Sequence, residues 1–172
     1  MYSKSKITIF TLFMTVFYSS TFAQMGTQNA ITDIVRQFHV NFSNNEVEKN
    51  GLLVDDSLVV NVNGGAGNRT NGATFKGRDE FVKWLKTFKS TFPDSKIIDE
   101  NIVVSGNKAA IRYIFTGIHS GTLPSANGPI QPTGRKVIMY AAEFFTFNDS
   151  GKLIYLETLT NDLDMITQLT SK

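Results

Sequence analysis

No cysteine occurs among the 172 residues. That absence excludes disulfides, thiolate metal sites, a cysteine nucleophile and thiol lipidation, so the domain must be held by its core alone. Histidine occurs only twice, too sparsely for a zinc set, and no metal is expected. No excess of one charge survives inspection either. Lys and Arg number 17 against 15 Asp and Glu, and Lys4 and Lys6 belong to the basic start of the chain. Without those two the balance is even, which leaves no electrostatic footprint for nucleic acid or anionic lipid. The glycine-rich run Gly64-Gly65-Ala66-Gly67 lacks a Gly-Lys-Ser/Thr ending and opens onto no helix, so it is not a phosphate loop. No nucleophile elbow singles out a serine.

What is present begins with a leader. After Lys4 and Lys6 comes the apolar stretch Ile7 to Phe17, and Thr21-Phe22-Ala23 puts small residues at −3 and −1 of a cut before Gln24. That is the layout of a secretory signal peptide over 1–23. The apolar stretch falls short of the roughly 20 residues that cross a bilayer. The expectation is therefore a secreted or periplasmic protein, free of the membrane once cut, whose mature part, 24–172, forms one domain.

Ile31, Ile34, Val35, Phe38 and Phe42 recur at helical spacing, predicting a helix over 28–42. His39 falls at the edge of that stripe and reads as a boundary histidine bonded to backbone or solvent. A short helix is expected over 46–54 and a first strand over 57–62. The polar connection 63–77 reads as a flexible hairpin or lid at a pocket mouth. Asp79 is expected to cap the next helix, which turns Phe81, Trp84, Leu85 and Phe88 inward and stops before Pro93. Strands follow at about 96–104, 108–118, 136–147 and 152–159, with a last helix over 162–169. Helices first and a strand meander after them predict an α+β domain, with helices covering one face of a curved, mostly antiparallel sheet.

Alternate strand residues share a face. Val137, Met139, Ala141, Glu143, Phe145 and Phe147 share one; Ile138, Tyr140, Ala142 and Phe144 share the other. Both faces are apolar, and the helices can cover only one. A homodimer burying the second face is expected. Ile111, Tyr113, Phe115, Gly117 and His119 align on a neighbouring strand, and Tyr155, Glu157 and Leu159 on the last. If His119, Glu143 and Glu157 all face inward, they converge on one apolar cavity.

With those residues in view, the chain resembles the SnoaL-like polyketide cyclase (predicted ester cyclase) family of the NTF2-like superfamily, over roughly 28–170. The resemblance is carried by Gly77-Arg78-Asp79-Glu80-Phe81, Thr91-Phe92-Pro93-Asp94, Thr116-Gly117-Ile118-His119-Ser120-Gly121 and Pro132-Thr133-Gly134-Arg135-Lys136-Val137. It continues through Gly151-Lys152-Leu153-Ile154 and from Glu157 past Asp162 to Gln168-Leu169. It implies an NTF2-like cone enclosing a deep apolar pocket and, in the members that are enzymes, chemistry without a cofactor. The aspartate of the family's closing motif maps onto Asp162 and the motif histidine onto His119. The tryptophan common between the Glu and Asp of that motif is missing from Thr158-Leu159-Thr160-Asn161.

Enolate chemistry needs a carboxylate base in an apolar setting and donors for the oxyanion. Asp162 as base with His119 or a tyrosine as donor meets that need, giving cyclisation or isomerisation beside a carbonyl. Trp84, Tyr113, Phe115, Met139, Glu143, Tyr155 and Glu157 are the expected substrate-binding residues, and the partner is a small, largely apolar ligand. Plainer readings stand beside each assignment. Asn161 followed by Asp164 resembles a helix start, which makes Asp162 a first-turn acid. Glu143 can pair with Arg112 or Arg135. The pocket can serve a non-catalytic binder of a small or lipid-like ligand, or the fold an interaction module.

Overall fold

The computed structural model describes residues 28–67, 72–125 and 128–171. The expected leader and its cut before Gln24 lie outside the described residues. Helix α1 covers 28–43 and buries Ile31, Val35, Phe38 and Phe42, the stripe its spacing predicts. Helix α2 (Val47–Gly51) is shorter than expected, because the first strand, β1 (Val54–Val62), takes over three residues earlier. A 3-10 turn at Gly65–Gly67 leads to β2 (Ala73–Lys76), a strand hidden in what reads as a polar connection. Helix α3 (Arg78–Thr91) follows, then β3 (Lys96–Ser105), β4 (Lys108–Ile118), β5 (Lys136–Phe147), β6 (Leu153–Thr160) and helix α4 (Asp162–Thr170). Asp79 does not cap α3. The cap is Gly77, whose φ of 82° few side chains tolerate, and Asp79 sits in the first turn, where its charge favours the helix dipole.

The six strands form one sheet in the order β2-β1-β6-β5-β4-β3. All pairings are antiparallel except β1 with β6. Burial alternates along β4 and β5 as the pattern predicts, with Ile111, Tyr113, Phe115, Met139, Ala141, Glu143 and Phe145 all inward. On the convex side Ile138, Tyr140, Phe144 and Leu159 stay 41 to 57% exposed in the single chain.

Phenylalanine builds the concave core. Phe88, Phe92 and Phe115 meet at 5.2 to 5.5 Å, two of the contacts edge-to-face, which fastens α3 to β4. Each such pair adds about 0.5–1.5 kcal/mol beyond the burial itself. Phe75 stacks on Trp84 at 5.5 Å and ties β2 to α3. In β3 the register slips between Asp99 and Asn101. This bulge keeps both Ile97 and Asp99 inward before it and Ile102 and Val104 inward after it, and sends Glu100 outward to Arg112 (2.7 Å).

Candidate functional site

The cone holds two adjoining hollows. The inner one, about 80 Å³, is lined by Phe38, Phe42, Phe81, Leu85, Phe115 and Phe145, with His39, Asn50, Tyr113, Glu143, Thr158 and Thr160 as its polar groups. The outer one, about 450 Å³, lies between β2, α3 and the start of α4, and Asp162, Glu80, Lys83 and Pro124 border it. Trp84, Phe88, Met139, Thr158 and Thr160 line both. Together they fall within the size range of small-molecule pockets, apolar with a few fixed polar groups.

The polar floor is a chain of hydrogen bonds across four elements. His39 of α1 is 5% exposed. Its Nδ1 donates to Asp99 Oδ1 on β3 at 2.5 Å and its Nε2 to Glu143 Oε2 on β5 at 3.0 Å. Tyr113 of β4 donates its hydroxyl to the other Glu143 oxygen, Oε1, at 3.2 Å. Burial by itself drives the imidazole toward neutrality, but hydrogen bonds to Asp99 and Glu143, with their charges, outweigh it and raise the pKa to about 9. His39 is thus an imidazolium at neutral pH. Burial, with the Glu143 charge added, pushes the Tyr113 phenol well above its usual value, so it stays a donor.

His39 is therefore no boundary residue, and Glu143 pairs with neither arginine. Arg112 points outward to Glu100, and Arg135 donates to the Gln168 carbonyl (3.2 Å) and Ser171 Oγ (3.3 Å). Sequence reasoning missed His39 and Asp99 as a pair. The usable signal was an acid in step with Ile97 and a histidine inside the α1 stripe, two inward charges of opposite sign that need each other.

At the mouth, Asn161 caps α4 by accepting from the Asp164 N–H (3.2 Å), so the helix start predicted there is real. Asp162 is half-buried and borders the outer hollow. Its carboxylate accepts from Thr160 Oγ1 (2.6 Å) and from Asn63 Nδ2 (3.1 Å).

Three expected site residues lie elsewhere. His119 lines neither hollow; it is fully buried against Phe92, at 5.5 Å between rings. Its Nδ1 accepts from the Thr133 backbone N–H (3.2 Å), and burial lowers its pKa. The Thr-Gly-Ile-His-Ser-Gly stretch is a packing device here. A Cβ on Gly117 would sit 3.0 Å from Ser95 Cβ, and one on Gly121 would sit 2.1 Å from the Ser90 carbonyl oxygen. Tyr155 and Glu157 also miss the hollows, because the buried residues of β6 are Leu153, Leu156 and Thr158. On the opposite side of the sheet the Tyr155 hydroxyl donates to Glu157 Oε2 (3.0 Å) and accepts from Asn61 Nδ2 (3.2 Å). The convergence of His119, Glu143 and Glu157 thus does not occur. Glu143 alone faces the cavity, and its companions are His39, Asp99 and Tyr113. Trp84, Tyr113, Phe115, Met139 and Glu143 do line the hollows.

Both ring nitrogens of His39 face carboxylates, so it has no lone pair for a cation. Among the described residues, no group of three His, Cys, Asp or Glu is placed to hold a metal, and no helix is long and apolar enough to cross a membrane.

A family model described as SnoaL-like polyketide cyclase matches residues 32–169. No curated protein matches the sequence. Among solved structures, a proposed SnoaL-like polyketide cyclase from Jannaschia sp. CCS1 is similar over 84% of this chain and 94% of its own, with a TM-score of 0.71 and 16% identity. AclR from Streptomyces galilaeus, a proposed hydroxylase, is similar over 84% and 98%, at 0.69 and 17%. IdmH from Streptomyces antibioticus, a proposed polyketide cyclase, is similar over 81% and 97%, at 0.65 and 22%. At such identities the likeness is one of fold, and it is the NTF2-like cone expected from the sequence.

Proposed function

This chain belongs to the SnoaL-like polyketide cyclase family, and on that premise we propose that it is an exported protein that binds a small, largely apolar carbonyl compound in its cone. There it moves a proton beside the carbonyl, toward cyclisation or isomerisation. The observation that carries this reading is a two-part apolar cavity with a carboxylate at each end, Asp162 at the mouth and Glu143 at the floor. Export is supported by the basic, then apolar, leader over 1–23.

In the chemistry proposed, Asp162 takes a proton from the carbon next to the carbonyl and the electron pair moves onto the carbonyl oxygen. Lys83, which borders the outer hollow as Asp162 does, offsets the charge that develops there. The enolate carbon is then reprotonated at a second position, or attacks a second carbonyl whose oxygen takes up a proton. No step needs a cofactor.

Deuterium exchange at the α-carbon of 2-tetralone in D₂O, followed by NMR, tests this. The wild-type protein is expected to accelerate exchange and Asp162→Asn to abolish it, with the ketone still bound and Tm little changed. Exchange at the wild-type rate in Asp162→Asn would assign the base elsewhere. One observation favours a second reading, a binder without turnover: Asp162 is already engaged by Thr160 and Asn63. Ketone binding without exchange in the wild-type protein would establish it. A homodimer through the convex sheet face is part of the proposal, supported by the exposed Ile138, Tyr140, Phe144 and Leu159.

A further inference from the structure

The floor of the cone has an unequal supply of hydrogen-bonding partners. The donors of His39, Tyr113 and Thr158 are spent. Both N–H groups of His39 go to Asp99 and Glu143, the Tyr113 hydroxyl goes to Glu143, and the Thr158 hydroxyl is engaged with Tyr113. The floor's acceptors are not. A carboxylate offers about four lone-pair sites, and His39 and Tyr113 take one on each oxygen of Glu143. Glu143 lines the inner hollow, so unspent acceptor capacity borders a space walled by Phe38, Phe42, Phe115, Phe145 and Leu156. Asp99, His39 and Glu143 together also leave one negative charge beneath that space. In a low-dielectric wall such a charge acts strongly on whatever enters.

We infer that this floor is an acceptor subsite: the Glu143 carboxylate, oriented by His39, takes a hydrogen bond from a hydroxyl or enol on a neutral ligand and turns carboxylates away. The inference rests on the reading of the cone as a ligand pocket and narrows its ligand to a carbonyl compound that also carries a hydroxyl or an enol. Its polar end occupies the inner hollow of about 80 Å³ and the rest the outer one of about 450 Å³. A protonated amine would neutralise that charge but costs more to bring in. It brings three donors to a floor with room for about two, and must shed the hydration of a full charge. His39 and Asp99 are positioning residues in this scheme, acting on the ligand through Glu143.

Four probes of similar shape separate the possibilities: toluene, p-cresol, p-toluate and 4-methylbenzylamine, titrated calorimetrically at pH 7 into the mature protein. Trp84, the chain's only tryptophan and a wall of both hollows, gives an independent fluorescence reading. The expected result is p-cresol bound about tenfold or more tighter than toluene, the range a hydrogen bond to a charged group supplies, with p-toluate and the amine weaker than p-cresol. Glu143→Gln should bring p-cresol to within about threefold of toluene while leaving toluene unchanged. Should that variant fail to fold, Tyr113→Phe decides. It leaves Glu143 and His39 paired and frees an acceptor site, so the p-cresol preference should persist or grow; its loss would make Tyr113 the reader and overturn the inference. Equal binding of toluene and p-cresol, or preference for p-toluate or the amine, would overturn the acceptor floor and leave the pocket reading intact. If neither toluene nor p-cresol binds, both fall.

Discussion

His39 and Glu143, 104 positions apart in the chain, meet at 3.0 Å with almost no access to water. One rides on α1 and the other on β5. Asp99 of β3 holds the second ring nitrogen, and Tyr113 of β4 holds the second carboxylate oxygen. Neither charge would be tolerable at this depth alone.

A stability change in the alkaline range follows. The groups facing His39 are Asp99, Glu143 and Tyr113; burial lowers its pKa, but the hydrogen bonds and charges of Asp99 and Glu143 outweigh that and raise it from 6.5 to about 9. A folded-state value above the unfolded one contributes stability that is fully present below about pH 6.5 and is lost as pH climbs through about 9. At about 1.4 kcal/mol per pKa unit, the loss is on the order of 3 kcal/mol by pH 10. Urea titrations from pH 6 to 10 should show that decline in the wild-type protein and lack it in His39→Gln. A decline of the same size in both would remove His39 as its source.

Blocking the throat should separate the two hollows. Met139 lines both, so Met139→Trp is expected to weaken p-cresol binding tenfold or more in calorimetry. Overpacking of this kind costs about 1–3 kcal/mol of stability, visible as a lower Tm in a protein that still folds. Undiminished binding would place the ligand outside the cone.

Charging the convex face should prevent association. Tyr140 and Phe144 are 57% and 46% exposed there in the single chain. Light scattering should report a dimer for the wild-type protein at micromolar concentration and a monomer for Tyr140→Lys with Phe144→Lys. A wild-type monomer at that concentration would refute the association.

The Gly121 position should tolerate no side chain. A Cβ there would lie 2.1 Å from the Ser90 carbonyl oxygen, backbone that cannot swing aside. Gly121→Ala should therefore destabilise by about 2 kcal/mol or more, while Gly117→Ala, with contacts at 3.0 and 3.2 Å, should cost less. Equal Tm values for Gly121→Ala and the wild-type protein would show that the loop relaxes freely.

The sequence disclosed the fold through its periodicities. The α1 stripe, the two faces of β5 and the cap at Asn161 are all local patterns, and local patterns survive without knowledge of the partner. The site was legible only in part, because its geometry depends on how strands register. Glu143 could be placed on the inward face by alternation, yet its partners come from α1 and β3. Asp99 is in step with Ile97, but the bulge after it brings Ile102 and Val104 to the same face, so no single alternation along β3 places them all. Family likeness drew His119 forward, whereas its motif serves close backbone packing. β2 escaped notice because four residues, Ala73–Lys76, carry too little pattern to rise above the glycine-rich run before them.

The imidazolium travels with the first helix and both carboxylates with the sheet. Lifting that helix away would leave two anions confronting each other in a greasy recess. The helix is therefore latched by charge as well as by grease, and the latch loosens in base.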